Sequence, residues 1–516
     1  MKKILFNLNF LLLISLLCIS SCKDGKNDNY TSTDASNNLI AFTKVHDKLP
    51  VDVKSTCIAD STDFKNWFVS GNISKNGAVN PANSVTFGHQ NNCDFYRWSE
   101  QMFLWMTSPA SDPNFSGRAV LETPEFYTVS PKVNGVRTLI PHKAGKMLTA
   151  FANVQKTDSR IDSEEGQATD DVLMAQKGSL IYYISMVNDV YAQFLTGAKA
   201  GVLSDGEFPT TKSSMDSIVN YATSQGVNLS NPETLAMELK TSWVDASTIS
   251  NSADYVTIDA LVPVYDKVSD TLWTQKPDTS ATVKLALIGV HVVGSVNGHP
   301  EMIWATFEHK DNAPNLSYEY VNVNDSIITV PADAGKNWLL NSDASDETYN
   351  VSHMLFANDS IKARPDQVIS ASNTKMILPW GVAETGKPNP ENATPADSNT
   401  EVIAINNSVL GQLIKGDVRR NYIFIGATWT NGGAAPNGTP YSETNTTDGM
   451  SIGTSRLANS TMETYFQYDN KKFGETANCF FCHSNTSTNT TGLKPGDLSH
   501  IYDAIQALNE TSNKTP

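Results

Sequence analysis

Cys479, Cys482 and His483 spell C-x-x-C-H. Two thiols at that spacing can add to the two vinyl groups of a haem, and the following residue presents an imidazole to the iron from the same short turn. The chain holds six Cys and nine His in 516 residues, so the pattern arises by chance in about one chain in a thousand of this composition. Other uses of the pair fit less well. A zinc site needs a fourth ligand close by, and no second cysteine pair exists. A thioredoxin-like pair opens a helix after a strand, whereas this one lies in a polar C-terminal segment. The motif predicts one covalent haem c, attached through Cys479 and Cys482, with His483 as the proximal iron ligand.

The second axial ligand is left open by the sequence. His500 follows His483 by 17 residues, near enough for the intervening loop to carry it around the haem edge. His309 closes the run Trp304-Ala305-Thr306-Phe307-Glu308-His309, and Glu308 beside it can orient a ring nitrogen. Met450 and Met462 are the thioether alternatives, and an iron with no sixth protein ligand is the remaining one. His46, His89 and His142 stand in polar contexts, His291 reads as a strand residue and His353 sits in a short apolar patch. Glu308-His309 is no acid–base dyad, because neighbours on a strand point to opposite faces. No Walker loop, G-x-S-x-G elbow or H-E-x-x-H is present.

The N-terminus predicts export. Lys2-Lys3, an apolar stretch from Ile4 to Ile19 and the small residues before Cys22 read as a secretory signal ending in a lipobox. Cleavage after residue 21 leaves Cys22 as a lipidated N-terminus, and residues 22–40 are polar enough to be a tether. The predicted location is the outer membrane, on its periplasmic face or at the cell surface, with lipid as the membrane contact. In that oxidising compartment the two cysteines left over, Cys57 and Cys93, are expected to form a disulfide.

The net charge of −16 argues against a nucleic-acid partner, and no basic stripe offsets it. Such a surface is open to two readings, attraction of a basic redox partner protein and, more commonly, solubility.

The elements that must position the motif are mostly strands. Val283–Val296, then Asn297-Gly298, then Met302–Phe307, reads as a β-hairpin. Leu180–Ser185, Met237–Val244, Tyr255–Val264 and Tyr422–Thr428 read as further strands. Asp94–Met106 and Met215–Ala222 read as helices, as do Arg456–Gln467 and Leu498–Leu508, with loops near 383–400, 430–449 and 484–496. The expected fold class is α+β: a β-rich, mainly antiparallel body over 41–450, in one or two lobes, with peripheral helices and a short helical haem c segment over 451–516. Only 33 residues follow His483, too few for a class I cytochrome c domain, so a haem here is expected either buried against the β-rich body or exposed at its edge.

Trp98–Trp105 (WSEQMFLW), Glu238–Trp243 (ELKTSW), His299–His309 (HPEMIWATFEH), Tyr422–Trp429 (YIFIGATW) and Leu457–Tyr465 (LANSTMETY) precede the haem motif and Ser499-His500 in this order. In these blocks the chain resembles the exported cytochrome c family proteins, a largely uncharacterised group. The resemblance implies an extracytoplasmic protein with one covalent haem and no established reaction. The function expected from motif and resemblance together is extracytoplasmic electron transfer by a lipid-anchored monohaem cytochrome. The alternatives are an oxidoreductase acting on a small substrate at an open iron, and a binding lipoprotein with structural haem.

Overall fold

The computed structural model describes residues 40–152, 171–382, 386–444, 447–467, 478–484 and 492–508. The signal segment, Cys22 and nearly all of the tether lie outside these residues. The described residues belong to one compact unit beginning at Leu39, so the body is not split into two lobes. No described helix is long and apolar enough to cross a membrane.

The fold is α+β, with 23% helix and 28% strand. A large sheet runs in the order β14-β13-β8-β7-β5-β4-β1-β2. Its strands are β1 (Phe126–Val129), β2 (Leu139–Pro141), β3 (Leu148–Thr149), β4 (Tyr182–Asn188), β5 (Met237–Asp245), β6 (Thr257–Ser269), β7 (Leu272–Val296) and β8 (His299–His309). A separate hairpin joins β9 (Tyr318–Val321) to β10 (Ile327–Val330), and β11 (Met354–Phe356), β12 (Ser360–Ala363), β13 (Tyr422–Thr430) and β14 (Ser451–Gly453) complete the set. Among these named strands the pairing is antiparallel except for β3 with β6. The hairpin expected around Asn297-Gly298 is β7–β8: Val296 pairs with His299, and Gly298 takes the left-handed conformation (φ 78°) that closes a two-residue turn.

The helices are α1 (Ser61–Trp67), α2 (Asn92–Met106), α3 (Asp189–Lys199), α4 (Lys212–Ser224), α5 (Pro395–Gln412), α6 (Cys479–Cys482) and α7 (Pro495–Leu498). An Asn91/Asp94 capping box starts α2, which packs on one face of the sheet. There Phe103 stacks on Phe307 at 4.3 Å, and Gly294 lets Trp98 approach so closely that a Cβ would lie 2.9 Å from the indole.

The opposite sheet face is polar. Lys240 pairs with His291 and His291 with Thr306, while Glu238 pairs with Val293 and Val293 with Trp304. Residues 459–463 and the C-terminal segment cover these side chains. Asn459 Nδ2 donates to Thr306 Oγ1 (2.8 Å), the Ser460 amide donates to Glu308 (2.7 Å), and the Ser242 and Thr461 hydroxyls lie 2.6 Å apart. Gly289 permits this contact, since a Cβ there would sit 2.5 Å from Thr461 Oγ1.

Three expected elements are corrected. Arg456–Gln467 is irregular, with a single 3₁₀ turn at Thr464–Phe466, because its Asn, Ser and Thr side chains bond to the sheet and compete with helical hydrogen bonding. Leu498–Leu508 is not a helix: α7 ends at Leu498, and the chain then pairs with Arg137, whose amide donates to Ala504 O at 2.8 Å. The loop placed at 383–400 contains the start of α5. That helix has a Thr394 cap and Pro395 in its first turn, both start signals.

Two buried carboxyls make stability depend on pH. Burial pushes Glu401 on α5 up to about 7, helped by Glu391 and Asp397 and opposed by Asn392 and Asn92. Burial and then Glu125 push Asp189 of α3 up to about 7. The folded state holds these two protons over a range in which the unfolded chain has released them, so stability falls as pH rises through that range. His46, His142 and His483, which burial lowers to about 4, and His309, which burial lowers to about 3, act oppositely until the unfolded histidines have lost their protons, about one pH unit above their value of about 6.5. Glu401→Gln removes one of the two carboxyl contributions and leaves the histidines as they are, so its stability relative to the parent is expected to increase by about 1 kcal/mol between about pH 6 and 8. Thermal melts of both proteins across that range check this, and a difference in melting temperature that does not grow with pH would contradict the assignment.

Candidate haem c site

The C-x-x-C-H residues form a single helical turn. Asn478 caps α6 by accepting from the Phe481 amide at 3.0 Å. His483 follows as the C-cap, its amide donating to Cys479 O at 3.0 Å. Cys479 and Cys482, both half-buried, carry thiols outside any disulfide. Between them Phe480 is fully buried, its ring 5.8 Å from Trp304, while Phe481 is 39% exposed. One side of the turn is thus anchored to the sheet and the other faces solvent.

The His483 ring is held from three directions. Nδ1 lies 2.8 Å from Leu498 O; a carbonyl only accepts, so Nδ1 carries the proton and Nε2 keeps its lone pair. Trp304 tilts against the ring at 4.3 Å, and His500 stacks on it at 4.1 Å and 11°. Burial lowers the His483 pKa to about 4, more than the Leu498 bond raises it, and Lys240, Glu463 and His291 lie within electrostatic reach. Burial also pushes the Cys479 thiol well above its usual range.

These residues fit a covalent haem. A proximal histidine normally donates its second nitrogen to a carbonyl or carboxylate, which fixes ring orientation and tautomer. Leu498 O does so here, and both cysteines stand on the same turn. Cys479 and Cys482 would supply the thioether links and His483 Nε2 the iron bond.

His500 lies ring-on-ring with His483 at 4.1 Å and points Nε2 at Cys482 O, 3.0 Å away. Each imidazole is thus bonded to a backbone carbonyl of the other's segment, Leu498 O and Cys482 O, so in this structure His500 helps to hold the His483 ring. His309 stacks on Tyr255 at 3.6 Å and accepts from the Asp311 amide at 3.3 Å. It lies five residues past Trp304, about 17 Å along the strand and on the other face. Glu308 does not orient it, being bound to Ser460 and Asn312. Met462 packs with Ile181, Tyr183 and Tyr465, away from the Trp304–Phe480 cluster, and Met450 is buried ahead of β14.

His500→Phe preserves a stacked ring and removes only the hydrogen bond. It is expected to leave the iron's ligand set unchanged and to shift the one-electron reduction potential by about 60 mV or less, the size of one hydrogen bond. A change from low-spin to high-spin absorption in this variant would identify His500 as a ligand.

Residues that sequence reasoning missed line the same site. His291 Nε2 lies 3.0 Å from Glu463. Burial pushes the Glu463 carboxyl up, but His291, Lys240 and the Asn459 amide together hold it below its usual range. Ser499 donates to Glu238 at 2.6 Å and contacts the Tyr191 hydroxyl at 2.9 Å. The available signal is polar residues at alternate positions of largely apolar strands: Glu238, Lys240 and Ser242, then Thr306 and Glu308.

Comparison with protein-family models, curated proteins and solved structures finds no match for this chain.

Proposed function

We propose that the chain is an exported, lipid-anchored monohaem c-type cytochrome that passes electrons outside the cytoplasm. The observation that carries the reading is the His483 geometry: Nδ1 committed to Leu498 O, Nε2 left for iron, and two reduced cysteines on the preceding turn. When bound, the haem would supply a one-electron couple. The chain's own residues supply the rest. Trp304 and His500 fix the imidazole, Phe480 pins the attachment turn to the sheet, and the exposure of Phe481 on the other side of that turn supports access by a redox partner. Cys22, outside the described residues, supports membrane attachment through lipid.

A second reading, an oxidoreductase with an open iron position, gains from the placement of His500 beside His483 instead of opposite it. One experiment separates the two. The purified mature protein is assayed by pyridine haemochrome, then by absorption with and without carbon monoxide. A c-type signal unaffected by carbon monoxide supports electron transfer, a c-type signal shifted by it supports the open site, and no covalent haem removes both.

A further inference from the structure

The start of β8 is distorted in a way that the hairpin alone does not require. Gly294 pairs with Ile303 and Val296 with His299, so Ser295 of β7 alone faces Pro300, Glu301 and Met302. Within this bulge Met302, 1% exposed, holds φ at 70°, a left-handed value that a side chain of its size rarely takes. Bulges re-aim side chains, and this one turns Glu301 back onto His299. Glu301 Oε1 lies 2.8 Å from His299 Nδ1 and accepts from the Thr430 amide at 3.0 Å.

A carboxylate only accepts, so His299 Nδ1 carries the proton and Nε2 keeps its lone pair. That Nε2 makes no hydrogen bond among the described residues and is not sealed from solvent. The pair is otherwise buried, His299 at 2% exposure and Glu301 at 0%, and His299 is the ion-pair partner of Glu301. A carboxylate placed in this way orients a metal-binding imidazole and raises its basicity.

A second imidazole stands beside the first. The His89 ring lies 5.1 Å from that of His299, and two imidazoles sharing one tetrahedral ion at ~2.0–2.1 Å have ring centres about 5 Å apart. His89 is exposed, and the Cε1–Nε2 end of its ring lies over Gly298, next to His299. A Cβ on Gly298 would sit 3.4 Å from Cε1 and 3.5 Å from Nε2. No third His, Cys, Asp or Glu joins them as a ligand among the described residues, which leaves the other coordination positions to water.

We propose that His89 and His299 bind a divalent transition-metal ion, with Glu301 positioning His299. Neutral imidazoles with open water positions favour copper(II), which stands highest among the first-row divalent ions at such sites. Trp304 Nε1 donates to Glu301 O at 2.9 Å while its ring lies against His483. The metal site therefore adjoins the C-x-x-C-H segment without sharing a ligand with it, and it does not depend on haem.

The test is calorimetric titration of the untagged mature chain, carrying its haem, with copper(II) and with zinc(II), followed by pulsed EPR of the copper form. One copper ion per chain is expected, with a dissociation constant of about 1 μM and echo modulation from two imidazoles. His89→Asn should weaken binding about 100-fold, and Glu301→Gln about tenfold, the usual effect of removing an outer carboxylate. His89 is exposed, so His89→Asn is expected to fold even where Glu301→Gln does not. Binding that His89→Asn leaves unchanged means an adventitious ion only and overturns the proposal. So does the absence of one-to-one binding at about 10 μM, or zinc binding tighter than copper. If the chain carries no haem, Cys479→Ala/Cys482→Ala removes the competing thiols and the same titration decides the matter.

Discussion

The double variant Cys479→Ala/Cys482→Ala is expected to be exported and folded yet to carry no covalent haem, giving no pyridine haemochrome signal after acid extraction. The body does not rest on these side chains. The attachment turn is only four residues long, and its anchor is Phe480 against Trp304. Thioether formation, however, has no other thiol to use: Cys57 and Cys93 are joined to each other, Cys18 leaves with the predicted signal, and Cys22 is the predicted lipid site. His483→Ala separates attachment from ligation, because both thioethers can form while the iron loses its proximal nitrogen. That variant should keep the haemochrome signal, lose the low-spin spectrum of the parent and recover part of it when imidazole is added. The single variants Cys479→Ala and Cys482→Ala should each retain one link at reduced yield. Haem that survives acid extraction in the double variant would show that Cys479 and Cys482 are not the attachment points.

The parts of this site that could be read from sequence are those in which local chemistry and position coincide. C-x-x-C-H puts its candidate attachment and ligand residues within five positions, which the structure gathers on one turn, and the β7–β8 hairpin declares itself through a β-branched run and an Asn-Gly turn. Helix α2 shows its aromatic content and its stop at Pro109. Helix α5 escaped for a physical reason. Its polar residues are buried connectors: Asn406 bonds Phe424 O, Asn407 bonds Pro50 O and Ser408 bonds Ala59 O. No polar face marks it as a helix on a surface. The error at 456–467 has the same origin in reverse, since Asn459, Ser460 and Thr461 spend their hydrogen bonds on strands distant in sequence.

The distal side was the least readable part. A histidine near the motif in sequence invites coordination, but His500 lands beside His483 because α7 folds back to place Leu498 O under the ring. His291, set aside as an ordinary strand residue, reaches the site because strand alternation puts it on the same face as Trp304. Lys240 and Glu238 follow the same rule one strand over. Period-two polarity in a buried strand normally marks a solvent face. Here it marks the seat of the C-terminal segment, a long-range pairing that no window of sequence contains.

Removing the disulfide is expected to cost about 4 kcal/mol, the largest stability change among the substitutions considered. Cys57 and Cys93 stand 36 residues apart in sequence with Cα atoms 5.4 Å apart. Their bond closes a loop of that length in the unfolded chain, and the expected cost follows from the chain entropy released on opening it. For a body of more than 400 residues this corresponds to a melting temperature lower by about 4 °C. Cys57→Ala/Cys93→Ala should show the decrease in a thermal melt at fixed pH. The loop ends on the first turn of α2, whose remaining contacts, Phe103 on Phe307 and Trp98 over Gly294, lie on the sheet face opposite Trp304 and His483. Loosening the N-terminal segment should therefore leave the haem spectrum at room temperature as in the parent. A spectrum that changes together with the melting temperature would mean that α2 and the haem segment are coupled through the sheet.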